Sequence, residues 1–206
     1  MKSVGTKNIE TNRLLLRKLK KEDASVAYYN WCNSESVTKY LLWKKHESVE
    51  VTKKQYEKWE QEYEDLNTYR WIVEIKDTHE LIGIIDASSH FIKFGTCEIS
   101  YCYGEKFWGF GYATESLKAV IKYLFEEADA ELIYAEYMEN NPASGKVMEH
   151  AGMKQEGTLR KRVIDKNHQR NDLISYSITK AEYFQLNKVN KEEIDFLNSL
   201  YYNINQ

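Results

Sequence analysis

The stretch Lys106-Phe107-Trp108-Gly109-Phe110-Gly111-Tyr112-Ala113-Thr114-Glu115 constrains this chain more than any other, because it has to turn a strand into a helix across two glycines one residue apart. Glycine enters positive φ without steric cost, so the turn can swing several N–H groups inward, and a helix starting at Gly111 or Tyr112 adds its unpaired first-turn amides. The product is a main-chain cradle for an anion. The stretch has neither the Lys-Ser/Thr pair of a Walker-type loop nor a full G-x-G-x-x-G. A magnesium nucleotide or a dinucleotide therefore fits it poorly, and a pyrophosphate held by backbone fits better. Taken alone, the same residues also suit a glycine turn that merely starts a helix. The flanking segments decide between the two readings.

The rest of the chain implies one compact domain. A length of 206 residues with a single proline leaves room for a real core and a cleft. A formal charge of -3 argues against a nucleic-acid partner, and the short run Arg160-Lys161-Arg162 reads as a solvated strand face. Cys32, Cys97 and Cys102 form no C-x-x-C pair and are odd in number, which points to a reducing cytoplasm; the latter two read as buried strand residues rather than nucleophiles. Met1 to Thr11 lacks a signal-like apolar region and no window is apolar enough to span a bilayer, so no membrane association is expected. The histidines at 46, 79, 90, 150 and 168 make no H-x-x-x-H or Cys/His cluster, so no metal is expected.

Apolar periodicity predicts strands at Arg13 to Leu19, Tyr69 to Lys76, Leu81 to Ser89, Cys97 to Gly104 and Glu131 to Met138. A closing hairpin, Met153 to Ile164 with His168 to Thr179, turns at Asp165-Lys166-Asn167. Helices are predicted from Lys21 to about Asn33, Ser48 to Leu66, Gly111 to Glu127 and Ala143 to Ala151, the last stopped by Gly152. The acids of the Ser48 helix read as a solvated face. On a regular strand Glu98, Ser100 and Cys102 share one face. Residues 1–180 form the domain, and 181–206 read as a helical extension that packs on it or on a second copy through Phe184, Leu186, Ile194, Leu197, Leu200 and Tyr201.

Several segments in the same order resemble the GNAT N-acetyltransferase superfamily, and within it the RimJ/RimL-like branch that acetylates ribosomal-protein N-termini. They are Glu10-Thr11-Asn12-Arg13-Leu14-Leu15-Leu16-Arg17, Cys97-Glu98-Ile99-Ser100-Tyr101, the glycine turn, Asn141 to Met153, and Glu156-Gly157-Thr158-Leu159-Arg160. The resemblance implies a mixed α/β fold: a mostly antiparallel twisted sheet, splayed between two parallel strands and flanked by helices. It places the splay between Cys97 to Gly104 and Glu131 to Met138, with a bulge near Ser100, and lays the loop ending in Tyr40-Leu41-Leu42-Trp43 over the substrate end.

The function implied is transfer of an acetyl group from acetyl-CoA to a primary amine, a peptide N-terminus or a small amine, without a metal. Transfer from a thioester needs a held carrier, a neutral amine, a donor for the developing oxyanion and a proton for the thiolate. The carry-over puts the diphosphate on Gly109, Phe110, Gly111, Tyr112, Ala113 and Thr114, with Lys106 adding charge. It puts the pantetheine against main chain of Ser100, Tyr101 and Tyr103, with Asn141 on the other side. Glu98 is the candidate base, acting through water, and also reads as a strand carboxylate paired with a basic neighbour. Ser144 is the candidate thiolate partner, and also reads as a helix cap. Asn141-Pro142 equally suits a turn opening. Met148 stands where many GNAT enzymes carry tyrosine. A homodimer and a non-catalytic CoA-binding module remain open alternatives.

Overall fold

The computed structural model describes residues 1–91 and 94–188, except for the side chains of 89–91. A short strand, β1 (Ile9–Glu10), precedes β2 (Leu14–Arg17), in which Leu14 and Leu16 are fully buried and the intervening positions are not. Then come α1 (Ala24–Ala27), α2 (Glu35–Thr38), α3 (Val49–Gln61), β3 (Tyr69–Ile75), β4 (Leu81–Phe91) and β5 (Thr96–Tyr103). The second half comprises α4 (Tyr112–Glu126), β6 (Leu132–Met138), α5 (Pro142–His150), β7 (Lys154–Ile164), β8 (Arg170–Thr179) and a helix α6 over 180–188.

The predicted elements stand close to their expected bounds, with two local differences. The helix expected from Lys21 is three linked pieces, a 3-10 turn at Lys21–Asp23, α1, and a π turn at Tyr28–Cys32. Its entry is tied down by the Asp23 carboxylate, which accepts the Lys20 N–H at 2.8 Å and is gripped by both terminal nitrogens of Arg17. The expected bulge near Ser100 is absent. β4 and β5 pair in one continuous register from Gly83↔Tyr103 to Ser88↔Glu98, and the register shifts only beyond Ser88.

One sheet contains all eight strands in the order β1-β2-β3-β4-β5-β6-β8-β7. Every neighbouring pair is antiparallel except β5 and β6. That parallel pair lasts three residues, Thr96↔Leu132, Cys97↔Ile133 and Glu98↔Tyr134, while β6 stays paired with β8 along its whole length. Beyond Glu98 the two strands part. The splay therefore opens between the two strands to which the resemblance assigned it.

Helices cover the two faces unequally. On one, α4 presents Leu117, Val120, Ile121, Leu124 and Phe125, and α5 presents Met148, to a continuous core with Leu16, Trp71, Ile99 and Ile133. Each such side chain stabilises by about 1.5–3 kcal/mol when fully buried. On the other, the π turn after α1 packs Trp31, and α3 packs Tyr56, on Leu19, Ile72 and Ile84. Glu98, Ser100, Tyr134 and Glu136 share that second face but belong to neither core and stay in contact with solvent. The bulged edge strand β7 is largely exposed and carries Arg160, Lys161 and Arg162, a charged edge that discourages pairing with another chain. α6 packs on α4 through Tyr183, whose ring meets Phe125 and whose hydroxyl donates to Glu126 at 2.6 Å. The remaining apolar positions expected in the extension, Ile194 to Tyr201, lie outside the described residues.

Tyr56 is fully buried, and its hydroxyl finds no hydrogen-bond partner among the described residues. A buried hydroxyl left unpaired costs about 1–3 kcal/mol. Tyr56→Phe removes that cost with little change in volume, so it is expected to raise the thermal midpoint by roughly 2–4 °C per kcal/mol recovered. A lowered midpoint in calorimetry would mean that the hydroxyl is satisfied after all.

Candidate active site

The glycine turn sits where β5 hands over to α4. Gly109 and Gly111 take φ of 81° and 80°, the left-handed region in which a side chain is strained, and Gly111 is the residue before the first helical turn. Among the described residues the N–H groups of Gly109, Phe110, Gly111, Tyr112, Ala113 and Thr114 donate to no hydrogen bond; the first amide of the run with a partner is Glu115, which bonds to the Gly111 carbonyl at 3.0 Å. Six consecutive unspent donors at the positive end of a four-turn helix are arranged to attract an anion. The helix is fixed over β5 by the Tyr103 hydroxyl, which meets Ser116 Oγ, and Ser116 in turn donates to the Tyr112 carbonyl at 2.6 Å. Lys106 is paired with Glu80 at 3.2 Å, 4.6 Å over the Phe107 ring.

Two backbone bonds set the phase of β5. Gly104 N–H donates to Ile82 of β4, and Leu132 N–H at the start of β6 donates to Gly95. Even-numbered residues therefore turn their main-chain groups to β4, and odd-numbered ones turn theirs to β6. Past Glu98 the main chain of Ile99, Tyr101 and Tyr103 faces the gap. The Tyr101 main chain thus opens on the gap, and the Tyr103 carbonyl accepts the Trp108 indole at 2.8 Å. Ser100 departs from expectation: with no bulge to shift the phase, its main chain turns to Asp86 on β4.

Across the gap, the Tyr101 hydroxyl lies 2.9 Å from Ser144 Oγ and donates to the Ser144 carbonyl at 3.1 Å. Burial pushes the Tyr101 phenol up to about 12, so it is a neutral donor at physiological pH. Asn141 precedes α5 without capping it through its side chain, and that amide stays available. Ser144 lies inside α5 and does not cap it either. Met148 is buried in the core beneath.

The opposite face holds the carboxylates. Glu98 accepts from the Tyr134 hydroxyl at 3.2 Å across the last parallel pair. No basic side chain pairs with it among the described residues, so the rival reading of a cross-strand ion pair does not apply. Two neighbours were not singled out from sequence. Glu136, two residues after Tyr134, has its carboxyl raised above the usual range by burial and by Glu98. Asp86 accepts from Ser100 Oγ at 2.8 Å, and burial raises its carboxyl too. The signal for both was an acid interrupting an apolar strand. The hairpin tip spans one end of this face: Lys166, nearly buried, donates to the Thr38 carbonyl at 2.9 Å and lies 3.6 Å from Glu35.

Comparison with known proteins agrees with this geometry. Residues 13–154 match the Acetyltransferase (GNAT) domain family. The uncharacterized N-acetyltransferase YoaA of Bacillus subtilis (strain 168) is 31% identical over 172 residues, which cover 84% of this chain and 96% of that protein. The [Ribosomal protein uS5]-alanine N-acetyltransferase of Escherichia coli (strain K12) is 33% identical over 82 residues, covering 39% of this chain and 42% of that protein. A crystal structure of a GNAT-family acetyltransferase from Bacillus anthracis superposes with a TM-score of 0.75 at 26% identity, over 85% of this chain and 99% of its own.

Asp86 makes the stability of this face depend on pH. A carboxyl whose proton is held more tightly in the folded chain binds more protons folded than unfolded, so stability falls as pH rises from about 3.9 through the raised value. Asp86→Asn keeps an acceptor for Ser100 and cannot ionise. Urea unfolding is expected to show the variant more stable than the parent at pH 8, with the gap closing toward pH 4. A gap independent of pH would assign Asp86 an ordinary titration.

Proposed function

The chain belongs to the GNAT family and is an acetyl-CoA-dependent N-acetyltransferase; on that premise, we propose that its acceptor is a primary amine at a protein or peptide N-terminus. The observation that carries this reading is the parting of β5 and β6 directly after Glu98. It leaves strand main chain free beside the cradle on one face and a carboxylate on the other, so donor and acceptor approach from opposite sides and meet in the gap.

Bound there, acetyl-CoA supplies an activated acyl group. The amides of Gly109 to Thr114 hold its diphosphate, and the main chain of Tyr101 pairs with the extended arm as a strand would. The Asn141 amide steadies the arm from the far side. Glu98, through water, takes the proton that frees the amine, helped by the modest pKa of about 8 of a terminal ammonium. As the C–N bond forms the C–S bond would break, and the Ser144 hydroxyl, oriented by Tyr101, would be available to the departing sulfur. The thiolate leaves by accepting a proton from the Ser144 side or from solvent.

The acceptor face is open along β5 and β7, with Ser100 and most of β7 exposed, which suits an extended peptide. The resemblance to an enzyme named for a ribosomal-protein alanine points the same way. Asp86, Glu98 and Glu136 on that face favour a second reading, a small polyamine. A cytoplasmic setting fits thiols that burial pushes up to about 12 at Cys32 and Cys97, and no described helix is long and apolar enough to cross a membrane.

A thiol-release assay with acetyl-CoA against peptides of varied first residue, spermidine and an aminoglycoside tests the proposal. Release is expected with peptides, and Glu98→Gln should lower kcat by about 100-fold, the lower range for a general base, with a smaller loss for Ser144→Ala. Release with spermidine alone would move the acceptor to the second reading. Tight coenzyme binding without release across the whole panel would make the chain a binding module instead.

A further inference from the structure

We propose that Arg13, clamped by Glu115, is a positioning residue that presets the diphosphate cradle by pinning the Phe110 carbonyl away from it. The inference rests on reading Gly109 to Thr114 as the diphosphate site, and it gives a task to a side chain about a hundred residues distant in sequence.

The geometry starts with Glu115. One carboxylate oxygen accepts the Arg13 main-chain N–H at 2.9 Å and the Thr11 hydroxyl at 2.6 Å; the other accepts Arg13 Nε at 2.7 Å. Both main chain and side chain of Arg13 are thereby held against the first turn of α4. The guanidinium fork then reaches the glycine turn, and Nη1 donates to the Phe110 carbonyl at 2.9 Å. All described peptide bonds are trans. In a trans peptide the C=O and the following N–H point in opposite directions, so fixing the Phe110 carbonyl on Arg13 aims the Gly111 N–H to the other side, with the unspent amides. The guanidinium also lies 4.6 Å from the centre of the Tyr112 ring, which stacks on Phe110 at 5.8 Å.

The turn needs such a brace. Gly109 and Gly111 have the widest conformational freedom of any residue, and the space beside Gly109 where a side chain would lie is open, with nothing within 4 Å. Without an external tie, each binding event would have to order the turn first, and that entropy is subtracted from affinity. Arg13 has a half-exposed side chain, 42%, and surface ion pairs of this kind add little to folding stability. Its contribution therefore falls on binding more than on the fold. Lysine keeps the charge but lacks the planar fork that reaches Glu115 and the carbonyl together.

The test uses Arg13→Lys, Arg13→Gln and Glu115→Gln in the full chain. Calorimetric Kd for coenzyme A and KM for acetyl-CoA are expected to rise about tenfold in both Arg13 variants, the equivalent of one charge-assisted hydrogen bond. The change should appear in KM far more than in kcat, and the loss with acetyl-CoA should exceed that with S-acetylpantetheine, which lacks the diphosphate. Glu115→Gln should move the same way, because it releases Arg13. Unchanged coenzyme affinity in Arg13→Lys overturns the proposal, since charge alone would then suffice. Equal losses with both donors overturn it as well, by revealing general damage. A parent chain that binds no coenzyme A would instead sink the reading of the turn itself, a result distinct from either.

Discussion

The structure depends on a hydrogen-bond ladder that stops early. β5 and β6 run parallel for three residues and then separate, each kept in the sheet by its outer partner, β4 on one side and β8 on the other. Neither strand is lost by the separation, because each remains paired along its other edge. Main-chain groups in the gap still need partners, since unpaired buried amides are costly. Part of that demand is met internally: the Trp108 indole takes the Tyr103 carbonyl. Tyr101 keeps both of its main-chain groups toward the opening, where they can be paired at no cost in sheet structure.

The division of the faces follows from the same break. α4 and α5 cover the side toward which Tyr101 and Tyr103 point, and α4 ends at its positive pole where the chain leaves β5. α1 and α3 cover only part of the other side, leaving Asp86 mostly buried and Glu98 and Glu136 in contact with solvent, with Arg70 and Arg162 near enough to temper the charge. The unpaired amides before α4 and the carboxylates of Asp86, Glu98 and Glu136 thus occupy opposite faces of one sheet. They communicate only through the gap. Separating a positive helix terminus from a cluster of carboxylates keeps the two fields from cancelling, as they would on one face.

Much of this was legible because it is local. The glycines at 109 and 111, the apolar stripe of α4, the short polar connection before Leu81 and the hairpin closing on β8 each announce themselves within a dozen residues. What was not legible depends on register and on distance along the chain. Nothing local in Cys97 to Gly104 reveals that Gly104 bonds Ile82, yet that one bond turns the Ser100 main chain to β4 and removes it from the gap. Likewise Thr11 and Arg13 read as the entrance to a strand, and only the fold shows them gripping Glu115. Two segments of the resemblance far apart in sequence prove to be one contact. Lys106, expected to add charge to the cradle, has Glu80 of the β3–β4 turn within reach, a neighbour 26 residues away that no local pattern announces.

Met148 shows how a missing side chain is to be judged in three dimensions. Its place on α5 is where a tyrosine would stand in many relatives of this fold, and the methionine is buried as part of the core. The hydroxyls beside the gap come from elsewhere. Ser144 lies one turn earlier on the same helix, and Tyr101 reaches it from β5, a strand whose side chains at odd positions point toward α5. The phenol is protonated at neutral pH, and burial raises it further, to about 12. It also donates to the Ser144 carbonyl, so the serine hydroxyl and its backbone are held by one ring. A donor pair delivered jointly by strand and helix is tied to the width of the gap itself: any change in the splay between β5 and β6 alters the distance between Tyr101 and Ser144, whereas a tyrosine carried on α5 alone would move with the helix.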